Sequence, residues 1–144
     1  MKYLFDTSVL VPALIKTLPA HPTALAWLEK AVNKTIEAVI STHALAELYC
    51  NLSRFPITPK ISPAAAKQMI DDNVLSCFGL IALDENDYLS LVNHLVTEQI
   101  IGAATYDALH VYAGIKANVD HILSFNARDF QRVYPTVAHK IIVP

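Results

Sequence analysis

Met1-Lys2-Tyr3-Leu4-Phe5-Asp6-Thr7-Ser8-Val9-Leu10-Val11 opens the chain with a short β-favouring run that stops at three helix-capping side chains. The pattern reads as strand, turn and helix in immediate succession. In an open α/β sheet, ligands bind outside the carboxyl ends of the strands. Asp6 therefore stands where a carboxylate can meet a hard cation or a phosphate ester. A plainer account also exists, because Asp, Thr and Ser side chains accept bonds from the free N–H groups of a helix start. The rest of the chain has to decide between the two.

Working outward, strand and helix signals alternate to the end. A break at Leu18-Pro19-Ala20 precedes a helical pattern over residues 21–34, with Leu25, Leu28, Ala31 and Val32 on one stripe. Residues 37–41 read as a second strand, and Thr42 as the cap of a helix to about residue 54. Phe55-Pro56-Ile57-Thr58-Pro59 is a rigid loop, and Ser62-Pro63 opens another helix with cap and first residue in the favoured order. Leu80-Ile81-Ala82-Leu83 is the expected third strand, with Asp84 and Asp87 starting the helix after it. Thr105 is the expected cap of a helix over 106–117. Residues 122–124 form a fourth strand, 128–133 a short helix, and 141–143 a last strand. Strands separated by helices imply crossovers, hence an α/β fold with a small, mainly parallel sheet flanked by helices.

Composition narrows the class. A chain of 144 residues, 53% hydrophobic and 17% charged, has the material for one folded domain spanning 1–144. No apolar run approaches the ~20 residues of a membrane span, so no membrane partner is expected. Cys50 and Cys77 fit ordinary buried thiols of a reducing compartment, which points to the cytoplasm. With a net charge of −2, a broad basic footprint for duplex nucleic acid is absent. A local patch remains open to Arg54, Arg128 and Arg132.

Three further acids join Asp6 as candidates. Glu47 falls on the polar face of its helix with His43, Asn51 and Arg54, opposite a stripe of Leu45, Leu48, Tyr49 and Leu52. Asp107 falls in the first turn of its helix, a place the macrodipole favours for an acid without any function. Ser124-Phe125-Asn126-Ala127-Arg128-Asp129-Phe130 follows the fourth strand, and Asn126 and Asp129 also suit turns and caps. His110, one turn after Asp107, has packing or capping as its ordinary role.

Taken in order, Asp6-Thr7-Ser8-Val9-Leu10, Ala46-Glu47-Leu48-Tyr49, Tyr106-Asp107-Ala108-Leu109-His110 and the Ser124–Phe130 segment resemble the motifs of PIN-domain nucleases. The VapC-type toxins of toxin–antitoxin pairs are the most similar group, and the resemblance runs from Lys2 to the final strand. It implies a PIN-like three-layer α/β/α fold and a Mg²⁺- or Mn²⁺-dependent endoribonuclease. It further implies an RNA substrate, a small antitoxin partner and a homodimer. Carried over by position, Asp6, Glu47 and Asp107 are the metal ligands and Asn126 occupies the place of the usual fourth acid. Asn126 brings oxygen but no charge, which leaves Asp129 as a substitute to weigh against surface placement. Ser8, Arg54 and Arg128 are candidates for contact with substrate.

The ligand types fit that chemistry. Hard divalent cations prefer oxygen donors, and Mg²⁺ binds through one or two carboxylates plus substrate phosphate. Clustered carboxylates without a cation repel one another and rise in pKa. A phosphatase of the haloacid dehalogenase type shares the opening aspartate, but needs a second acid where this chain has Ser8. Two alternatives stay within the PIN-like fold: an RNA-maturation nuclease, and a catalytically weak module that binds RNA or protein.

Overall fold

The computed structural model describes residues 1–144. The opening run is strand β1 (Lys2–Phe5), and helix α1 (Thr7–Leu14) begins directly after Asp6. The chain continues through α2 (His21–Val32), β2 (Glu37–Ser41), α3 (Thr42–Ser53) and α4 (Pro63–Ile70). A π-helical turn (Asp71–Leu75) leads into β3 (Phe78–Ile81), then α5 (Glu85–Thr97), α6 (Ala104–Lys116) and β4 (His121–Leu123). Helix α7 (Ala127–Val133), a 3-10 turn (Pro135–Lys140) and β5 (Ile141–Ile142) complete it.

The five strands form one parallel sheet in the order β3-β2-β1-β4-β5. Successive side chains of a strand point to opposite faces, and here that alternation builds two cores. Tyr3, Phe5, Ala38, Ile40 and Leu123 pack with α1 to α4 on one face. Leu4, Val39, Ile122 and Ile141 pack with α5 to α7 on the other. The result is three layers, α/β/α, as the alternating pattern implied. No helix is long and apolar enough to cross a membrane.

Strand order explains where a site can form. From β1 the chain steps to β2 and β3 on one side, then returns to lay β4 and β5 on the other. The crossovers therefore leave in opposite directions from β1 and β4, opening a crevice at their carboxyl ends. Asp6 follows β1 and Ser124 follows β4, and the Asp6 N–H donates to the Leu123 carbonyl at 3.0 Å.

Of the element boundaries that differ from the sequence reading, three bear on packing or on the site. β3 lies two residues earlier than expected, because Phe78 is buried and meets Phe5 edge-on with ring centroids 4.9 Å apart. Leu80 is 44% exposed on this edge strand. Helix α6 starts at Ala104, and Thr105 does not cap it: the chain enters through a turn at Gly102 (φ +64°), whose carbonyl accepts from the Thr105 N–H. β4 ends at Leu123, which releases Ser124 to turn its hydroxyl toward Asp6. Cys50 is exposed and Cys77 half-buried, so neither is the buried thiol expected.

Candidate functional site

Asp6 is buried at 3% exposure, and it is the residue preceding α1, yet its side chain caps nothing. Its Oδ2 instead accepts two hydroxyl bonds, from Ser8 Oγ at 2.5 Å and Ser124 Oγ at 2.8 Å. Each serine is itself fixed by a backbone donor: Phe125 N–H to Ser8 Oγ, and Asn126 N–H to Ser124 Oγ. The other oxygen, Oδ1, has only a 3.4 Å approach from Thr7 Oγ1. Thr7 spends its single hydrogen on Glu47 Oε1, 2.5 Å away, since that contact is far shorter.

Glu47 is held at both ends. His110 Nε2 lies 3.2 Å from Oε2, and His43 Nε2 lies 3.8 Å from the same oxygen. His110 is buried, with Nδ1 2.9 Å from Ser41 Oγ, the residue whose hydroxyl also accepts from Ala44 N–H to cap α3. It is thus a packed histidine that orients Glu47. The His110 bond, and after it that of Thr7, keeps Glu47 below the usual carboxylate range against the opposing effect of burial. Burial and the neighbouring His110 hold His43 below the ordinary imidazole range.

Asp107 contrasts with both. Burial pushes its carboxyl above the usual range, and the negative charges of Asp6, Asp129 and Glu47 push the same way. His110 opposes them only in part. Asp6 and Glu47 have hydroxyl and imidazole partners, whereas no protein hydrogen bond supports the ionised form of Asp107. A concentration of negative charge with one acid left unsupported is a donor set suited to a cation.

Asp6, Ser8, Glu47, Arg54, Asp107 and Asn126 share the wall of one cavity of about 920 Å³. Asn126 precedes α7, is exposed, and its side chain makes no cap. It also borders a second cavity, of about 720 Å³, with Arg128, Asp129 and Arg132. The structure thus brings six of the candidates to the main cavity and sets Arg128 and Asp129 in the adjoining one, joined through Asn126. Asp129 is exposed on the first turn of α7, and its charge still reaches Asp107.

Sequence reasoning gave no role to His43, Ser41, Ser124 or Tyr106. His43 was legible as a neighbour of Glu47, four residues apart on one helix face. The ligand atoms of His43, Glu47 and His110 lie within 4.8 Å of one another, a grouping able to hold a metal ion.

Comparison with known proteins settles the family. The family model described as the PIN domain matches residues 3–134. The chain belongs to the PIN-domain family. Among its PIN relatives, Ribonuclease VapC40 of Mycobacterium tuberculosis is 35% identical over 104 residues, which is 72% of each chain. Ribonuclease VapC27 of the same species is 34% identical over 104 residues, 72% of this chain and 70% of that one. The PIN domain is thus of VapC type. Its fold is similar to that in the crystal structure of VapBC2 from Rickettsia felis bound to a DNA fragment from their promoter. That comparison has a TM-score of 0.65 at 22% identity and covers 100% of this chain and 98% of the other.

Proposed function

We propose that this PIN domain is a Mg²⁺- or Mn²⁺-dependent endoribonuclease, the toxin of a VapBC-like toxin–antitoxin pair. The observation that carries the reading is the crevice where Asp6, Glu47 and Asp107 share one cavity wall and Asp107 is left without a compensating donor. The two VapC relatives, both named ribonucleases, support the choice of RNA as substrate.

On this reading Asp6, Glu47 and Asp107 hold the cation. When bound, the cation polarises the scissile phosphoryl oxygen and lowers the pKa of an attacking water. The remaining residues supply position. Ser8 and Ser124 saturate Asp6 Oδ2 and leave Oδ1 for the ligand; Thr7 and His110 fix the Glu47 carboxylate between them. Arg54, on the same cavity, offers a guanidinium to a backbone phosphate, and Arg128 offers another beyond Asn126. Asn126 presents a neutral amide to the cavity, so Asp6, Glu47 and Asp107 carry its negative charge, with Asp129 exposed in the adjoining cavity. A small antitoxin and a second copy of the chain are the partners that membership of the VapC type brings to this proposal.

Inducing the wild type and Asp6→Asn in cells and sequencing the 5′ ends of the resulting RNAs tests the reading. Discrete new ends with the wild type alone are expected. The same ends in both, or none in either, would contradict it.

A further inference from the structure

Tyr106 immediately precedes Asp107, lines the main cavity and is 53% exposed. Its ring lies parallel to that of His43, at 4° with centroids 5.1 Å apart. His43 is in turn backed by the buried His110 at 5.4 Å, and His110 is tied to Ser41 and Glu47. A continuous chain of contacts thus links the end of β2 to an exposed aromatic ring beside the acidic residues.

Phosphate chemistry alone has no use for such a ring. The cavity also has apolar walls, including Leu18, Pro19, Phe55 and Pro56, which the carboxylates do not need. One kind of ligand uses both halves: a phosphate ester bearing a planar aromatic group. We propose that Tyr106, buttressed by His43, is a stacking platform for one nucleobase next to the scissile phosphate. The inference rests on the ribonuclease reading and deepens it, since a base can stack there only if it is unpaired. Base-paired RNA presents its bases inside the helix, whereas loops and single strands can splay a base onto an aromatic side chain. The substrate is accordingly a single-stranded or looped segment, cut beside a base lifted out of its stack.

The four ribonucleoside 5′-monophosphates are suitable probes because they carry a base and a phosphate but no phosphodiester bond to be cut, with ribose 5-phosphate as the base-free control. Binding is followed by NMR in the presence of Mg²⁺ for wild type, Tyr106→Phe and Tyr106→Leu. The expected result is upfield ring-current shifts of the base protons with cross-peaks to the Tyr106 ring, retained in Tyr106→Phe. Tyr106→Leu should bind the nucleotides roughly 5- to 150-fold more weakly, the fold-change of one base–aromatic stack. Ribose 5-phosphate should bind all three proteins alike. Equal nucleotide affinity in wild type and Tyr106→Leu would overturn the platform and assign the rim to a protein side chain instead. Because the probes report binding alone, that failure is separable from a failure to cleave RNA.

Discussion

Two hydroxyls on one carboxylate oxygen make Asp6 a ligand with a fixed orientation, and the same logic distinguishes the three acids by their partners. Glu47 depends on Thr7, which is buried. Thr7→Val removes that bond from a carboxylate 34% exposed to solvent and should cost about 0.5–1.5 kcal/mol in denaturant titrations, while Thr7→Ser keeps the hydroxyl and most of the stability. Asp107 behaves in the opposite sense. Its carboxyl lies above the usual range in the folded, metal-free protein. The native state therefore binds that proton more tightly than the unfolded chain does. Stability is lost as pH rises from the ordinary carboxylate value through the raised one, and the whole cost is present above the raised one. In chelator, Asp107→Asn should accordingly melt above wild type at neutral pH, and the advantage should vanish in acid below the ordinary value of 3.8. An Asp107→Asn protein that melts below wild type at neutral pH would show that Asp107 has a stabilising partner.

Element positions were legible wherever a local signal coincided with the tertiary one. β2 was placed residue for residue at Glu37–Ser41, but the cap of α3 expected at Thr42 is Ser41, whose hydroxyl accepts from the Ala44 N–H. The capping role of Asp84 and Asp87 was legible too, and the structure makes them a reciprocal capping box. β3 was misplaced because Phe78 through Leu83 is apolar beyond the length of one strand; only the contact of Phe78 with Phe5 selects the register. Stripes drifted for the same reason. Val32 and Tyr49 are exposed, while the small Ala24 and Ala44 are buried where helices approach the sheet. The register of β3 gives a direct test. Phe78→Ala should cost about 3–5 kcal/mol, as for other buried aromatic truncations. Leu80→Ala should stay within about 0.5 kcal/mol, as surface changes do. Equal losses in the two variants would favour the later register.

At the scale of the molecule, the reversal of strand order at β1 and β4 gathers acids that are far apart in sequence. Asp6, Glu47 and Asp107 were legible as candidates because each sits at a strand end or on a helix face whose type could be read. Their convergence was legible only through the family resemblance, since it depends on which strand lies beside β1, and neither periodicity nor capping specifies that. The polar residues around them, Ser41, Ser124 and His110, look like ordinary caps and core positions until the sheet brings them together. If the assembled cluster is a cation site, metal should stabilise the free protein. At 100 times its dissociation constant, Mn²⁺ would add about 2.7 kcal/mol, seen as a raised Tm reversed by EDTA and absent in Asp6→Asn.

The most direct measurement is cleavage of RNA by the purified protein in Mg²⁺ or Mn²⁺, in EDTA, and after metal is restored, with folded Asp6→Asn alongside. The account predicts cutting by the wild type with either metal, loss in EDTA, recovery on adding metal back, and no cutting by Asp6→Asn. Undiminished cleavage in EDTA, or wild-type cleavage by Asp6→Asn, would contradict it.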